Sequence, residues 1–210
     1  MDPVNKLIEL FSEFPGIGPR QARRFAYFIL TRNNGFLDDF TRNIAAAKKS
    51  LRVCSMCQRF FTSAEGRPPQ AAKTCPICSD DTRDQASLMI VARDSDFEAI
   101  EKSGVYHGLY FILGGSVPIL EKEPEKRVRL AELKKRVQGV GQDVILTEII
   151  LSMSVTPDGE HTAEVVKAFL EKSIDAEKVK ITVLGKGLST GTELEYSDTE
   201  TLKNALKNRA

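Results

Sequence analysis

The chain has 210 residues, of which 41% are hydrophobic and 28% are charged, and its formal net charge is +1. This length and composition suit one or two domains that have a packed core and a well-solvated surface. No run of about 18 apolar residues occurs and the first residues are polar, so we expect neither a membrane span nor a secretory leader, and we predict a cytoplasmic protein.

Charge is distributed unevenly along the chain. Residues 1–60 contain ten lysines and arginines and five acidic residues, a net charge of +5, which leaves −4 for the remainder. A basic segment ahead of an acidic one is typical of a protein with a nucleic-acid-binding face. An ordinary solvated helical surface is the alternative, and charge alone favours neither.

Three short helices are predicted in the basic segment, because apolar residues recur there at helical spacing in three stretches. The stretches contain Leu7, Leu10, Phe11 and Phe14; then Ala22, Phe25, Ala26 and Ile29; and, in a helix from about Asp38, Leu37, Phe40, Ile44 and Leu51.

A glycine-containing turn, Pro-Gly-Ile-Gly-Pro, separates the first two predicted helices. Gly16 and Gly18 leave backbone amides bare at a helix N-terminus, where N–H groups and the helix dipole favour a phosphate. Arg20 and Arg24 are four residues apart and therefore lie on one helix face beside the turn. The pattern looks like a helix-hairpin-helix element, which holds the DNA backbone without reading bases. A tight turn that needs glycine only for its geometry is the alternative.

All the cysteines of the chain fall in two Cys-x-x-Cys pairs separated by 17 residues: Cys54, Cys57, Cys75 and Cys78. This spacing is typical of a tetrahedral four-thiolate site with no open position, so we predict one structural Zn²⁺ per chain. Disulfides would need an oxidising compartment, which nothing in the sequence indicates. Two adjacent pairs argue against a thioredoxin-type redox site, and iron would fit the same ligands.

Strands and helices alternate from Ser87 onward, which indicates a mostly parallel sheet with helices packed against it. Ligands of such sheets bind at the carboxyl ends of the strands. The predicted strands are Ser87–Val91, Gly108–Leu113, Val144–Leu151 and Val179–Leu184, with Val144–Leu151 central. The predicted helices are Asp96–Ser103, a segment within Glu125–Val137, Glu160–Lys172 and Thr199–Leu206.

Several short motifs follow one another along essentially the whole chain. They are Leu10–Phe14 running into Pro-Gly-Ile-Gly, the cysteines with Cys75-Pro76-Ile77-Cys78-Ser79-Asp80, Gly108-Leu109-Tyr110, Asp158-Gly159-Glu160-His161-Thr162-Ala163, and Gly187-Leu188 leading to Leu194-Glu195-Tyr196. In their order and spacing, these motifs resemble the RecR family of bacterial recombination mediators.

The resemblance implies an α+β fold of several modules. These are a helix-hairpin-helix region at 1–53, a four-cysteine zinc finger at 54–79, an α/β Toprim domain with a mostly parallel sheet at 80–175, and a C-terminal segment with a Walker-B-like strand at 176–210.

The resemblance also implies a non-enzymatic role in recombinational DNA repair. The family binds single- and double-stranded DNA, forms dimers or tetrameric rings that clamp DNA, and acts with RecO and RecF at the nucleoid. Together these proteins help load RecA on gapped or broken DNA. Arg20 and Arg24 occupy the positions at which the family's basic residues contact DNA.

One stretch departs from the family pattern. Toprim enzymes carry a glutamate at the end of their first strand and further acids later to hold magnesium, and the RecR family usually keeps an acidic pair at that strand end. Ala92-Arg93 stands there in this chain, so the first carboxylate is absent and a positive charge replaces the second. This departure argues against magnesium binding, and against magnesium-linked docking of RecO, at this edge. Metal catalysis needs several converging oxygen ligands, so we expect no enzymatic activity. The alternative is a magnesium-dependent Toprim nuclease or primase-like enzyme that uses Asp94, Asp96, Asp158 and Glu160.

Tyr110 and Tyr196 have side chains that could stack on bases, although we expect them to pack in a core.

Overall fold

The computed structural model describes residues 2–62, 73–139, 146–174, 178–188, 190–191 and 193–208. The chain divides into two compact units, Met1–Leu51 and Arg52–Ala210. Within the described ranges, no helix combines the length and the apolar character needed to cross a bilayer.

The prediction of three helices in the first unit is confirmed: α1 (Pro3–Ser12), α2 (Pro19–Leu30) and α3 (Asn34–Ser50). The third helix begins earlier than the predicted Asp38, because the side-chain oxygen of Asn33 accepts the N–H of Phe36 at 2.9 Å and caps the new first turn. The placement of Leu51 on the helical stripe is wrong, since Leu51 has extended backbone and ends the helix.

The apolar faces of α1 and α2 pack against each other across the Gly-x-Gly turn. Ala22 and Ala26 of α2 are fully buried, and the ring centroids of Phe11 and Phe25 lie 6.0 Å apart. Because this face of α2 is used in the hairpin, its charged residues lie on the outside of the unit.

The second unit starts with a small two-stranded sheet, which the sequence did not predict, and continues with a larger one. The small sheet pairs β1 (Leu51–Val53) with β2 (Phe60–Thr62). The larger sheet has four strands, all paired in parallel in the order β4-β3-β5-β6. Its strands are β3 (Asp84–Val91), β4 (Gly108–Ile112), β5 (Glu148–Ser152) and β6 (Lys180–Val183), and the helices of the unit are α4 (Asp94–Ser103), α5 (Leu130–Val137), α6 (Pro157–Glu171) and α7 (Thr199–Lys207).

The predicted parallel sheet is confirmed, with small differences at its ends. β3 begins at Asp84 rather than Ser87, and the interior position of β5 agrees with the prediction of a central strand. Val144 and Ile145, which were predicted in that strand, lie outside the described residues.

The two faces of the large sheet have different coverings. On one face, Leu88 and Ile90 belong to a core cluster that contains residues of α5 and α6, such as Leu133 and Val166. The other face belongs to a second cluster, whose members are Met89, Val91, Tyr110 and Ile112 from the strands, Phe97 from α4, and Cys54, Cys57, Phe61 and Cys75. The cysteine-containing segment is therefore part of the sheet's own core.

Candidate metal centre and nucleic-acid interface

The four cysteines come together in one cluster, with all their sulfurs within 4.8 Å of one another. The two pairs adopt the same local turn, because the N–H of Gln58 bonds to the carbonyl of Cys54 at 3.0 Å and that of Ser79 bonds to the carbonyl of Cys75 at 3.1 Å. Each turn presents both sulfurs of its pair to the same point. The donor set is the one that a tetrahedral thiophilic ion takes.

The four sulfurs influence one another's proton binding. Contacts with the sulfur of Cys57, and then with those of Cys75 and Cys78, lower the pKa of the Cys54 thiol. Contacts with the sulfurs of Cys54, Cys75 and Cys78, followed by burial, raise the pKa of the Cys57 thiol. Four thiolates cannot coexist here without a cation, so metal binding would release protons.

The segment Arg52–Thr62, which carries the first cysteine pair, is fixed to the carboxyl edge of the large sheet by three hydrogen bonds. The N–H of Ile112, at the end of β4, donates to the carbonyl of Cys57 at 2.8 Å. Arg129 donates from Nη1 to the carbonyl of Gln58, also at 2.8 Å. The N–H of Phe60 donates to Oδ1 of Asp94 at 2.9 Å.

A cation–π contact adds to these bonds, since the Arg59 guanidinium lies 4.3 Å from the centroid of the Phe97 ring. If the cysteine cluster lost a bound metal, the segment Arg52–Thr62 would therefore loosen, and with it the carboxyl edge and one face of the large sheet.

The four acidic residues of the alternative enzymatic hypothesis have separate partners. Ala92 follows β3 directly and is buried, while Asp94 and Asp96 lie in the first turn of α4. Asp94 accepts from Phe60, and Asp96 accepts the N–H of Arg93 at 3.0 Å. Across the described part of the chain, the cysteine cluster is the one place where three or more histidine, cysteine, aspartate or glutamate side chains lie close enough to share a metal ion.

The remaining two acids lie at the start of α6. Asp158 accepts the N–H of Ile119 at 3.3 Å, and Glu160 forms an ion pair with Lys186. Each of these two carboxylates thus has its own partner, and the two partners lie in different segments of the unit.

The hairpin of the first unit has the backbone geometry that the sequence requires. Gly16 has φ +76°, in the left-handed region that favours glycine, and Gly18 is the N-cap of α2 with extended backbone. Gly18 has no side chain to cap the helix, and Pro19 follows at its first position. The next amides in the first turn therefore lack an intrahelical acceptor.

Arg20 and Arg24 lie on the exposed side of α2, next to this uncapped end. A shallow groove of about 680 Å³ runs along the same side, and Arg23 and Tyr27 also line it. Sequence reasoning missed these two residues, although their positions three and seven residues after Arg20 are those of neighbours on a helix. In contrast, no local pattern identified Arg129, whose role depends on a contact distant in sequence.

The two tyrosines named from the sequence have different environments. Tyr110 is fully buried, which confirms its expected place in the core. Tyr196 is 76% exposed, so the expectation that it packs in a core is wrong.

Comparisons with known proteins agree with this arrangement. Residues 4–48 match the family model described as RecR, helix-hairpin-helix; residues 86–185 match the Toprim domain; and residues 187–210 match RecR, C-terminal. A Recombination protein RecR from Lactococcus lactis subsp. cremoris (strain MG1363) is 33% identical over 208 residues, which cover 99% of this chain and 96% of that protein. Another from Lactiplantibacillus plantarum (strain ATCC BAA-793 / NCIMB 8826 / WCFS1) is 34% identical over 209 residues, with the same coverage. A likeness of this extent along the full length shows that the chain belongs to the RecR family.

Proposed function

We propose that the chain is a non-enzymatic DNA-binding mediator of recombinational repair. Its relatives carry the name Recombination protein RecR, which supports a role in recombination. The observation that carries the DNA-binding part is the pair of exposed arginines, Arg20 and Arg24, beside the uncapped N-terminus of α2.

These groups suit a phosphate backbone rather than base edges. Guanidinium groups bind phosphate oxygens with paired N–H donors, and free amides at a helix N-terminus add further donors in a favourable dipole field. Gly16 and Gly18 let the backbone approach the DNA closely. Contacts of this kind give affinity without sequence preference.

We infer that copies of the chain assemble as a dimer or a tetrameric ring that clamps single- or double-stranded DNA. In this proposal it acts with RecO and RecF in the cytoplasm, at the nucleoid, to help load RecA on gapped or broken DNA. Membership of the RecR family supports these partners. The modules would be the DNA-binding region at 1–53, the zinc finger at 54–79, the Toprim domain at 80–175 and the C-terminal segment at 176–210.

We propose that Cys54, Cys57, Cys75 and Cys78 hold one structural Zn²⁺ per chain. The short distances between the sulfurs and the burial of the first three cysteines support this assignment. Four thiolates fill a tetrahedral shell, so the ion would stabilise the fold rather than bind substrate. Elemental analysis of the purified protein distinguishes zinc from iron.

The DNA assignment is tested by the salt dependence of binding. Each arginine that contacts a phosphate contributes about 0.9 to the slope of log K against log salt on duplex DNA and about 0.7 on single strands. Arg20→Ala and Arg24→Ala should each reduce the slope by about this amount for every DNA sequence. Arg42→Ala is the matched control, because Arg42 lies on α3 and pairs with Asp39 at 3.2 Å. Equal slopes in wild type and both hairpin variants would refute the assignment.

A magnesium-dependent nuclease or primase-like enzyme is the second candidate, and the match to the Toprim domain is the observation that favours it. Its test is incubation with labelled DNA and Mg²⁺ or Mn²⁺, followed by a search for nicks or new primers. Nicking or primer synthesis by the wild type that is lost in Asp158→Asn and Glu160→Gln would show that the chain is an enzyme. No activity even at high protein concentration would favour the non-enzymatic mediator.

A further inference from the structure

The outer side of α2 combines basic and aromatic residues in one groove. Arg20, Arg23, Arg24, Tyr27 and Phe28 all line the 680 Å³ groove described above. These five residues all belong to α2, so the groove is an open depression between side chains on one face of a single helix. It leaves the rings and guanidinium groups accessible from solvent.

The three arginines of the groove have no ion-pair partner among the residues that the structure describes. Within the described ranges, no carboxylate lies within the 4.0 Å that defines an ion pair with Arg20, Arg23 or Arg24. Three positive charges without an ion-pair partner within five consecutive residues of one helix repel one another, so the partner that they fit is a polyanion.

Tyr27 is the aromatic residue of the groove whose ring is unoccupied. Its side chain is 54% exposed, and no hydrogen bond or ring contact engages it within the described part of the chain. Phe28 differs, because the Arg32 guanidinium lies 4.2 Å from its ring centroid and Phe36 meets it edge-on. An incoming ring would consequently stack on Tyr27 rather than on Phe28.

The positions along the helix match a strand that passes over both kinds of residue. Tyr27 lies about 20° around the axis from Arg20, and it lies about 4.5 Å along the axis beyond Arg24. A phosphate held by Arg24 would thus have its neighbouring base beside Tyr27. Arginines that follow a backbone, with an aromatic ring beside them, are the elements with which proteins hold single-stranded nucleic acid.

We propose that Tyr27 is a stacking site for an unpaired base, so that this surface favours single-stranded DNA. The inference rests on the proposed DNA-binding function and adds the class of DNA that the groove prefers. Bases in a duplex are already stacked on their neighbours, and their faces are closed to a side chain. Tyr27 therefore contributes to single strands alone, whereas the arginines contribute to both forms.

The test compares a single-stranded oligodeoxythymidylate with a duplex of equal length by fluorescence anisotropy. Tyr27→Leu should weaken single-strand binding by about fivefold to 150-fold and leave its salt slope unchanged, because tyrosine is uncharged. Tyr27→Phe should restore the affinity, since it retains the ring. Ile44→Ala is the control, because Ile44 is also exposed but lies on α3 and does not line the groove.

A spectroscopic readout tests stacking directly. The chain has four tyrosines and no tryptophan, so its intrinsic emission comes from tyrosine. Unlabelled oligodeoxythymidylate should quench part of this emission in the wild type, and the quenching should be lost in Tyr27→Phe although that variant binds.

The outcomes separate this inference from the function on which it rests. Salt-dependent binding that needs Arg20 and Arg24 but is unaffected by Tyr27→Leu overturns the stacking site and leaves the DNA-binding function. Equal losses on both DNA forms, with a changed sedimentation coefficient, would place Tyr27 in a contact between copies and also overturn it. Absence of any DNA binding by the wild type overturns both.

Discussion

Replacement of Asp94 by alanine tests whether the carboxyl edge of the sheet has a structural role in this chain. Asp94 accepts the N–H of Phe60 at 2.9 Å and so ties the cysteine-containing segment to the start of α4. A hydrogen bond to a charged group contributes about 1.5–3 kcal/mol, and an acid in the first turn of a helix adds about 0.3–1 kcal/mol. Phe60 is 44% exposed, so water replaces part of the lost bond. We therefore expect a loss in the lower half of this range, about 2–3 kcal/mol.

The assay is thermal unfolding followed by circular dichroism, together with the rate of zinc release to a chromogenic chelator. For a unit of this size each kcal/mol lowers Tm by about 2–4 °C, so Asp94→Ala should lower Tm by about 4–12 °C. Zinc release should also become faster. Glu98→Ala is the matched control, because Glu98 is an exposed acid of the same helix, and we expect a change within about 0.5 kcal/mol. Equal Tm and equal zinc release in the two variants would refute the structural role of Asp94.

Three further perturbations test the second unit. Metal removal by a strong chelator, or Cys78→Ser, should unfold this unit, because structural zinc supplies about 10–16 kcal/mol, which is comparable with the whole stability of a domain. Unchanged thermal melting after proven metal loss would contradict this. The hydrogen bonds from Arg83 hold the pKa of Glu101 below its ordinary value. The ion pair therefore contributes its full stability at pH values above the ordinary pKa, and this stability is lost as the pH falls through the lowered pKa. The unfolding free energy of wild type relative to Glu101→Gln should shrink accordingly in acid, and a difference that stays constant from pH 7 to pH 3 would count against the ion pair. Gly159→Ala should destabilise the unit by about 1–3 kcal/mol in denaturant unfolding, since its Cβ would overlap the carbonyl oxygen of Ser154, and an unchanged midpoint would show that α6 can shift.

Features that depend on short sequence spacing could be predicted well. The cysteine pairs come together as expected, because a two-residue gap fixes both sulfurs of a pair on one turn. The hairpin was also predictable, since Gly16 needs a positive φ and Gly18 precedes a helix with proline at its first position. The parallel sheet was predictable too, because the alternation of apolar strands and helices can be read within short stretches of sequence.

Features that depend on long-range contacts could not be predicted. Arg129 and Gln58 are 71 residues apart, and Asp94 and Phe60 are 34 residues apart, so no periodicity connects them. Asp94 looked like a candidate magnesium ligand because it lies at a strand end, where ligands often bind. Its observed bond shows that the same position can instead hold a neighbouring segment in place.

The most direct test of the account is a salt titration of DNA binding by the double variant Arg20→Ala/Arg24→Ala. Wild type and variant would be compared by fluorescence anisotropy on single-stranded and gapped duplex oligonucleotides. Zinc content would be measured on the same samples to check the second unit, and helical circular dichroism to check the first unit. We predict that the salt slope falls by about 1.8 on duplex and about 1.4 on single-stranded DNA, with about one zinc retained per chain. Identical slopes at equal zinc content would contradict the claim that this hairpin holds the DNA backbone.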